Sequence, residues 1–334
     1  MRLENLLALT EAKLVNEPCV SSFENIIFDA SRVKRGDLFI ASSIQDIDLA
    51  VSNGAYGIVY DRPVSITDAE IAWIEVVDIK IALEKLLRFR LIQNNIVAYE
   101  CDEIVLKLAS QIVTNENLVV ATMFAEKLFK QLWQLEPRTT LLFSSTFHER
   151  DIFTNIKKIQ KNPNSNIDIM EQTLFETSFI YNNKYYERQL ISPFFMPYLE
   201  ELFHLYDKLN INFRLRKFNT IDNFEAVFTN KKLEIKDFGA SDKVLIFEKN
   251  TSLIQKEIDF LQSKASWANI IYILPQHVDI NDDTGVFRYK DKDEIKQILK
   301  ENKFHFALVV GVDKSILSNK ITNTSVSLFD TQGD

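Results

Sequence analysis

The spacing of apolar residues along this 334-residue chain predicts alternating strands and helices. Short apolar runs such as "VLIFE" (244–248) have the length of buried strands, whereas "IALEKLLRFRLI" (81–92) repeats its apolar residues at helical spacing. This alternation predicts an α/β fold in three parts. We place a small α/β domain at residues 1–93, a central α/β domain at 94–225 and a Rossmann-like domain at 226–334.

The first part begins with a clear strand-turn-strand pattern. In "ENIIFDASRVKRGDLFIA" we predict a strand at Asn25–Asp29, a turn around Gly36 and a strand at Leu38–Ala41. A short helix, a glycine cap at Gly54 and a strand at Gly57–Tyr60 follow.

The middle part contains less regular patterns. The run "TSFIYNNKYYERQLI" (177–191) predicts a hairpin with Asn182 and Asn183 at its turn. "FHERDIFTNIKKIQ" (147–160) has helical spacing and is predicted as a helix. A further helix is predicted to begin at Pro197, since proline is well tolerated in the first turn.

The third part alternates buried runs with amphipathic segments. We expect Val244–Glu248, Asn269–Leu274 and Phe306–Val310 to be neighbouring strands of a largely parallel sheet that is flanked by helices.

Composition excludes several classes of protein. Hydrophobic residues make up 46% of the chain and charged residues 26%, which is typical of a globular protein. The net charge of −8 argues against a nucleic-acid partner, because such proteins normally carry a basic face. Since no run approaches the ~18 apolar residues of a membrane span, and the N-terminus does not have the pattern of a signal peptide, we expect a cytoplasmic protein without membrane insertion. With only Cys19 and Cys101 and no Cys/His cluster, we expect neither a metal site nor a disulfide framework.

The distribution of glycine excludes the usual nucleotide-binding loops. The chain has seven glycines, and none lies between Gly57 and Gly239. A Walker-type loop needs glycines so that backbone N–H groups can surround a phosphate, and a lysine for the outer phosphates. Neither that pattern nor GxGxxG occurs in the chain. We therefore expect no nucleotide cofactor.

Two segments of the first part resemble the N-terminal domain of the Mur ligase family, in particular its UDP-N-acetylmuramoyl-tripeptide–D-alanyl-D-alanine ligase. That family typically carries Asp-Ser-Arg-x-Val-x-x-Gly-Asp-Leu-Phe, and here Asp29, Val33 and residues 36–39 match it in register. "NGA" at 53–55 matches a later signal. The resemblance implies a three-part, Mur-ligase-like architecture and a link to peptidoglycan precursor synthesis.

The third part is similar to the C-terminal domain of the same family. "KVLIFEKNTSLIQKEIDFL" (243–261) stands where the ligases have a strand, an Asn- and Ser-containing turn and a helix, and Asn250 and Ser252 match that turn. "FALVVGVDKSIL" (306–317) resembles the late strand-glycine-helix unit of the family.

The chain departs from the family at its central domain, which we expect to be remodelled. Family members have Gly-[Thr/Ser]-x-Gly-Lys-[Thr/Ser] after the first central strand, where ATP binds. In this chain the strand "NIVAY" (95–99) is followed by an acidic turn without glycine, namely Glu100, Cys101, Asp102 and Glu103. We interpret these four residues as a degenerate P-loop position.

Two interpretations of the acidic turn remain open. In the structural one, Asp102 caps the following helix, whose residues Ile104, Leu108 and Ile112 form an apolar stripe against a sheet. In the other, Asp102 and Glu103 form a cation or acid/base site, although adjacent helical residues point in different directions. Cys101 at a helix N-terminus could have a lowered pKa, but the surrounding carboxylates oppose a thiolate.

The segment that corresponds to the UDP-binding residues of the family also departs from the pattern. In the matching register the family's Ser-Arg pair falls on Ala30 and Ser31, and a one-residue slip would place it on Ser31 and Arg32. The resemblance therefore implies Asp29, Ser31 and Arg32 as candidates for ligand binding.

Two functional hypotheses follow. In the first, the chain is a non-catalytic relative of the Mur ligases, without cofactor or metal, that binds a protein of the peptidoglycan synthesis pathway or a wall precursor. In the second, it is an ATP-independent enzyme that acts on a UDP-sugar or wall precursor through an unrecognised site. The absence of a phosphate loop favours the first and makes ATP-dependent ligase chemistry unexpected.

Overall fold

The structure is a computed structural model that describes residues 1–114, 118–121, 126–133, 135–147, 150–159 and 166–317. Strands and helices alternate along these residues, which confirms the α/β class. The α-helices are α1 (Leu3–Thr10), α2 (Ile47–Ser52), α3 (Ile79–Gln93), α4 (Glu103–Gln111), α5 (Glu126–Trp133), α6 (Met196–Leu209), α7 (Ile254–Lys264) and α8 (Lys292–Glu301). The strands are β1 (Lys13–Leu14), β2 (Ile26–Ile27), β3 (Leu38–Ile40), β4 (Gly57–Tyr60), β5 (Ala72–Glu75), β6 (Val97–Cys101), β7 (Val113–Thr114), β8 (Leu118–Ala121), β9 (Thr140–Ser144), β10 (Ile156–Lys158), β11 (Ile167–Gln172), β12 (Thr177–Tyr181), β13 (Lys184–Gln189), β14 (Phe213–Arg214), β15 (Glu225–Thr229), β16 (Lys243–Glu248), β17 (Ile270–Pro275), β18 (Val286–Tyr289) and β19 (Phe306–Val310).

The chain divides into two compact units. The first contains Met1–Lys161 and Glu201–Arg214, and the second contains Asn162–Glu200 and Leu215–Asp334. A continuous hydrophobic cluster in the first unit joins residues from before and after position 93, and Phe28 contacts Phe129 with ring centroids 5.3 Å apart. The three-part division at residues 93 and 225 stays a prediction.

The N-terminal sheet of the first unit has the order β1-β5-β4-β3-β2, in which β2 to β5 are parallel and β1 is antiparallel. Gly36 lies in the turn between β2 and β3, as predicted, and its φ of +99° favours glycine. Strand β4 is completely buried because both faces of the sheet are covered by apolar residues.

A second sheet of the first unit has the order β10-β6-β9-β8 with all strands parallel. The prediction of a helix over residues 147–160 is wrong, because a 3-10 turn at Arg150–Ile152 leads into strand β10. Ile152, Phe153 and Ile156 have helical spacing, but the free edge of β6 pairs with an extended segment, with Ala98 N–H donating to the carbonyl of Asn155 at 2.9 Å. Tertiary pairing therefore overrides the local pattern here.

The second unit contains an antiparallel sheet β11-β12-β13 and a five-stranded sheet β15-β16-β19-β17-β18. The hairpin β12–β13 turns at Asn182 (φ 47°) and Asn183 (φ 59°), as predicted, because a two-residue hairpin turn needs left-handed residues. In the larger sheet β16, β19, β17 and β18 are parallel and β15 is antiparallel at the edge. The three strands expected to be neighbours are neighbours. Among the described helices none is both long and apolar enough to span a bilayer.

Candidate functional site

The four residues predicted as an acidic turn lie at the carboxyl edge of the parallel sheet in the first unit. The predicted turn is too long: Glu100 and Cys101 end β6, Asp102 alone connects the two elements, and Glu103 begins α4. Cys101 ends β6 and lies beside Ser144, the last residue of β9. Ligands of open α/β sheets bind outside the carboxyl ends of the strands. Residues 100–103 are therefore where such a sheet would hold a phosphate.

Asp102 caps the helix that begins at this turn. Its Oδ1 accepts a hydrogen bond from the backbone N–H of Ile104 at 2.9 Å, and its backbone is extended (φ −65°, ψ 150°). Ile104, Leu108 and Ile112 are buried beneath the helix. The predicted cap and apolar stripe are both confirmed, and the helix N-terminus carries a negative charge from the chain itself.

The other two carboxylates of the turn face different partners. Glu103 Oε1 lies 2.7 Å from Nζ of Lys107 one helical turn later, and Glu100 Oε2 lies 3.7 Å from Nη2 of Arg150. Among the described residues, no group of three potential ligands has metal-site geometry. Asp102 thus caps the helix, whereas Glu103 forms an ion pair on its surface.

Cys101 is buried between these acids. The residue is 5% exposed, and its thiol donates a weak hydrogen bond to the carbonyl oxygen of Phe143 at 3.4 Å. Burial, followed by the charges of Glu201, Asp102 and Glu100, raises the pKa of Cys101 to about 12. The thiol therefore stays protonated at neutral pH and is a poor nucleophile.

The candidate UDP segment forms a small capped turn. Asp29 Oδ1 accepts hydrogen bonds from the backbone N–H of Ser31 at 3.0 Å and from its hydroxyl at 2.6 Å. Arg32 ends the 3-10 turn and is exposed. The structure brings Asp29 and Ser31 together, and in this arrangement the serine hydroxyl is engaged by the aspartate. Ligand binding by the three residues stays a prediction.

A buried carboxyl group in the second unit was not predicted from the sequence. Glu248, at the end of β16, is 0% exposed. It accepts hydrogen bonds from Nδ2 of Asn223 at 3.0 Å, from the N–H of Phe224 at 3.0 Å and from the N–H of Asn250 at 2.6 Å. These donors satisfy the buried carboxyl oxygens of Glu248.

Glu257 on α7 is a second buried acid beside Glu248, and it is also 0% exposed. Burial, and after it the charge of the neighbouring Glu248, raise the pKa of Glu257 from 4.5 to about 11. Neither carboxyl oxygen of Glu257 has a hydrogen-bond partner among the described residues. Glu257 is therefore neutral at pH 7.

The position of Glu257 within its helix could have indicated its burial from the sequence. Glu257 is three residues after Ile254 and four before Leu261, so helical spacing puts it on the apolar face. Since both carboxyl groups are completely enclosed, the pair contacts the protein interior and is out of reach of a substrate.

The fold of the chain is similar to that of solved ligases. Crystal structure I of MurF from Acinetobacter baumannii aligns over 92% of this chain and 95% of its own, with 10% identity and a TM-score of 0.51. The chain has the fold of a Mur ligase. A structure of MurF ligase from Thermotoga maritima in complex with ADP aligns over 88% of this chain and 95% of its own, with 10% identity and a TM-score of 0.48. No protein-family model and no curated protein matches the sequence.

The Mur ligase fold expected from the sequence is thus confirmed. At 10% identity the similarity concerns the fold. The interpretation of residues 100–103 as a former P-loop of a Mur ligase stays a prediction.

Proposed function

We propose that this chain is a non-catalytic, Mur-ligase-like protein that acts as a binding or scaffold partner in peptidoglycan precursor synthesis. Its partner would be a protein of that pathway or a wall precursor. The observation that supports the loss of ligase activity is the turn between β6 and α4, where Asp102 occupies the helix N-terminus with its own carboxylate. The link to the pathway is supported by the Mur ligase fold.

The chemistry of the turn opposes ATP. Mur ligases, as the resemblance implies, form an amide bond through an acyl phosphate, so ATP phosphates and magnesium must lie beside the reacting carboxylate. In this chain the N–H of Ile104 is already bonded to Asp102, whose carboxylate lies where the phosphates would have to bind. Two unit charges about 4 Å apart interact by roughly 4 kcal/mol at an effective dielectric constant of about 20. Repulsion of that size would remove much of a micromolar affinity, which is about 8 kcal/mol.

Thermal unfolding with and without millimolar Mg-ATP tests the proposal. We expect no change in the unfolding midpoint, whereas a ligand present at about 100 times its dissociation constant would add roughly 2.7 kcal/mol to the free energy of unfolding. A clear rise that is lost in the Asp102→Ala, Glu103→Ala double variant would overturn it. Asp291→Ala is the matched control, because it removes the N-cap of α8, which Asp291 supplies to Asp293 and Glu294, without touching the turn.

A second candidate function, an ATP-independent enzyme on a UDP-sugar or wall precursor, is favoured by one cavity. It has a volume of about 600 Å³ and lies at the carboxyl ends of the parallel strands in the second unit, next to His277, Tyr289 and Gly311. Mass spectrometry after incubation with UDP-N-acetylglucosamine or UDP-N-acetylmuramic acid separates the two functions. Conversion of the UDP-sugar that disappears in His277→Ala would support the enzyme hypothesis. Recovery of the unchanged UDP-sugar would support the hypothesis of a binding protein.

A further inference from the structure

A different cavity, which four aromatic side chains help to line, lies in the second unit at the edge of the five-stranded sheet where β16 and β19 begin. Its volume is about 470 Å³. Small-molecule sites in proteins have volumes of roughly 300–1,000 Å³ and combine apolar walls with a few polar groups. The cavity is at the opposite edge of the sheet from the carboxyl ends of the parallel strands.

The register of three adjacent strands builds the floor of the cavity. Phe228 on β15 pairs with Val244 on β16, and Val244 pairs with Phe306 on β19. Residues in register across neighbouring strands face the same side of a sheet, and the alternate residues face the other side. Two aromatic rings and one branched side chain therefore lie in a row, whereas their neighbours Val227 and Leu245 belong to the hydrophobic core.

Two further rings form walls that stand away from this floor. Phe175 lies 5.7 Å from Phe228 at an interplanar angle of 82°, and Trp267 lies 6.0 Å from Phe306 at 75°. Trp267 is 72% exposed. Edge-to-face rings at these angles leave open ring faces against which another flat ring can stack. An exposed tryptophan beside an apolar cavity is typical of a binding site.

The positive charge of Lys264 at the cavity favours an anionic ligand. Lys264, the last residue of α7, is the charged residue among those that line it, and no carboxylate lines it. Lys264 forms no ion pair with any other residue in the part of the chain that the structure describes. Aromatic cages also bind quaternary ammonium groups, but an unpaired ammonium at the site opposes a second cation. An anion gains a charge-assisted hydrogen bond.

A threonine on the rim adds a hydrogen-bonding group. Thr173 Oγ1 accepts hydrogen bonds from the N–H groups of Phe175 at 3.2 Å and Glu176 at 2.9 Å. Because the oxygen is the acceptor in both, the hydroxyl proton is available to a ligand oxygen.

We propose that this cavity binds a small aromatic anion, with its ring stacked on the open face of Trp267 and its carboxylate or phosphate group at Lys264 and Thr173. The inference is independent of the proposed function, because it uses neither the acidic turn nor the Mur ligase resemblance.

Titration of the full chain with indole-3-acetate, tryptamine and acetate tests ring and charge separately. The chain is labelled with ¹⁵N-tryptophan, and the indole N–H signals of Trp73, Trp133 and Trp267 are followed by NMR, with Trp267→Phe used for assignment. We expect the Trp267 signal to shift on addition of indole-3-acetate, with a dissociation constant at least about tenfold lower than that of tryptamine or acetate. A charge-assisted hydrogen bond of about 1.4 kcal/mol corresponds to a factor of ten in this constant. The Trp73 signal should stay unchanged, because its indole N–H is bonded to the carbonyl of Asp68.

Two matched pairs of variants locate the contacts. Lys264→Gln should weaken binding of indole-3-acetate about tenfold, and Lys256→Gln, on the exposed face of the same helix, should leave it unchanged. Trp267→Ala should weaken it about fivefold or more, and Tyr185→Ala, an exposed aromatic residue outside the cavity, should not. The proposal is overturned if indole-3-acetate shows no binding up to millimolar concentration, if tryptamine binds as tightly, or if the cavity variants behave like their controls.

Discussion

Glu257 and Glu248 lie near each other in the interior of the second unit, where neither side chain has exposed surface. Glu248 accepts hydrogen bonds from Phe224 N–H and Asn250 N–H. Burial and the neighbouring Glu248 raise the pKa of Glu257, so Glu257 is neutral at pH 7.

This relationship predicts a decrease in stability as the pH rises. The pKa of Glu257 is about 11 in the folded chain against 4.5 when exposed, so between these values the unfolded state releases a proton that the folded state keeps. The stabilisation is complete below about pH 4.5 and is lost as the pH rises toward 11, with a slope of at most about 1.4 kcal/mol per pH unit. Glu257→Gln has nearly the same size and cannot ionise. Urea unfolding at pH 6 to 9 should therefore show a smaller pH slope in this variant and a higher stability at pH 9.

Glu187→Gln is the control for Glu257→Gln, since Glu187 is exposed on β13. Its pH slope should equal that of the unmodified chain. An unchanged slope in Glu257→Gln would show that Glu257 ionises inside the folded unit.

The cap of α4 predicts a second measurable loss. Asp102→Ala removes the acceptor for Ile104 N–H and should lower the free energy of unfolding by about 1 kcal/mol, whereas Asp102→Asn should retain most of it. Glu103→Ala removes only the ion pair with Lys107 at the surface and should change stability by no more than about 0.5 kcal/mol. Urea unfolding of the three variants checks the order. Equal effects of Asp102→Ala and Glu103→Ala would contradict the cap.

The two cysteines should differ sharply in reactivity. Cys19 is exposed, whereas Cys101 is buried and has a pKa of about 12. A disulfide reagent such as DTNB should label Cys19 in the native chain at pH 8 and label Cys101 only after addition of denaturant. In Cys19→Ser, rapid labelling of the native chain would contradict the buried, protonated state of Cys101.

Local sequence patterns were sufficient to predict those features that depend on interactions within a single element. The buried run of β16, the left-handed residues Asn182 and Asn183 and the cap at Asp102 were all predicted from neighbouring residues. Each depends on interactions within a few positions, such as the twist of a two-residue turn or an acceptor for a free N–H.

Features that depend on distant pairing were missed. Strand β10 exists because β6 has a free edge, and a helical spacing of apolar residues does not reveal that edge. The aromatic cavity needs Phe228, Val244 and Phe306 in register on strands that are not consecutive in the chain. The pair of Glu248 and Glu257 could have been suspected from the helix phase of Glu257, but its partner is fixed only by the tertiary fold.

Close packing around Gly57 yields the last prediction. Gly57 begins β4, and an added Cβ would lie 2.6 Å from Cε1 of Phe23 and 2.9 Å from Cδ1 of Leu38, two side chains that are both buried. Gly57→Ala should therefore destabilise the first unit by about 1–3 kcal/mol through overpacking, since a closely packed core cannot absorb the methyl group without moving a neighbour. Because Phe23 makes the shorter contact, Gly57→Ala should cost at least about 0.5 kcal/mol less in a Phe23→Leu background. Urea unfolding of the four chains gives this interaction energy, and strictly additive effects would show that the alanine is accommodated without contact with Phe23.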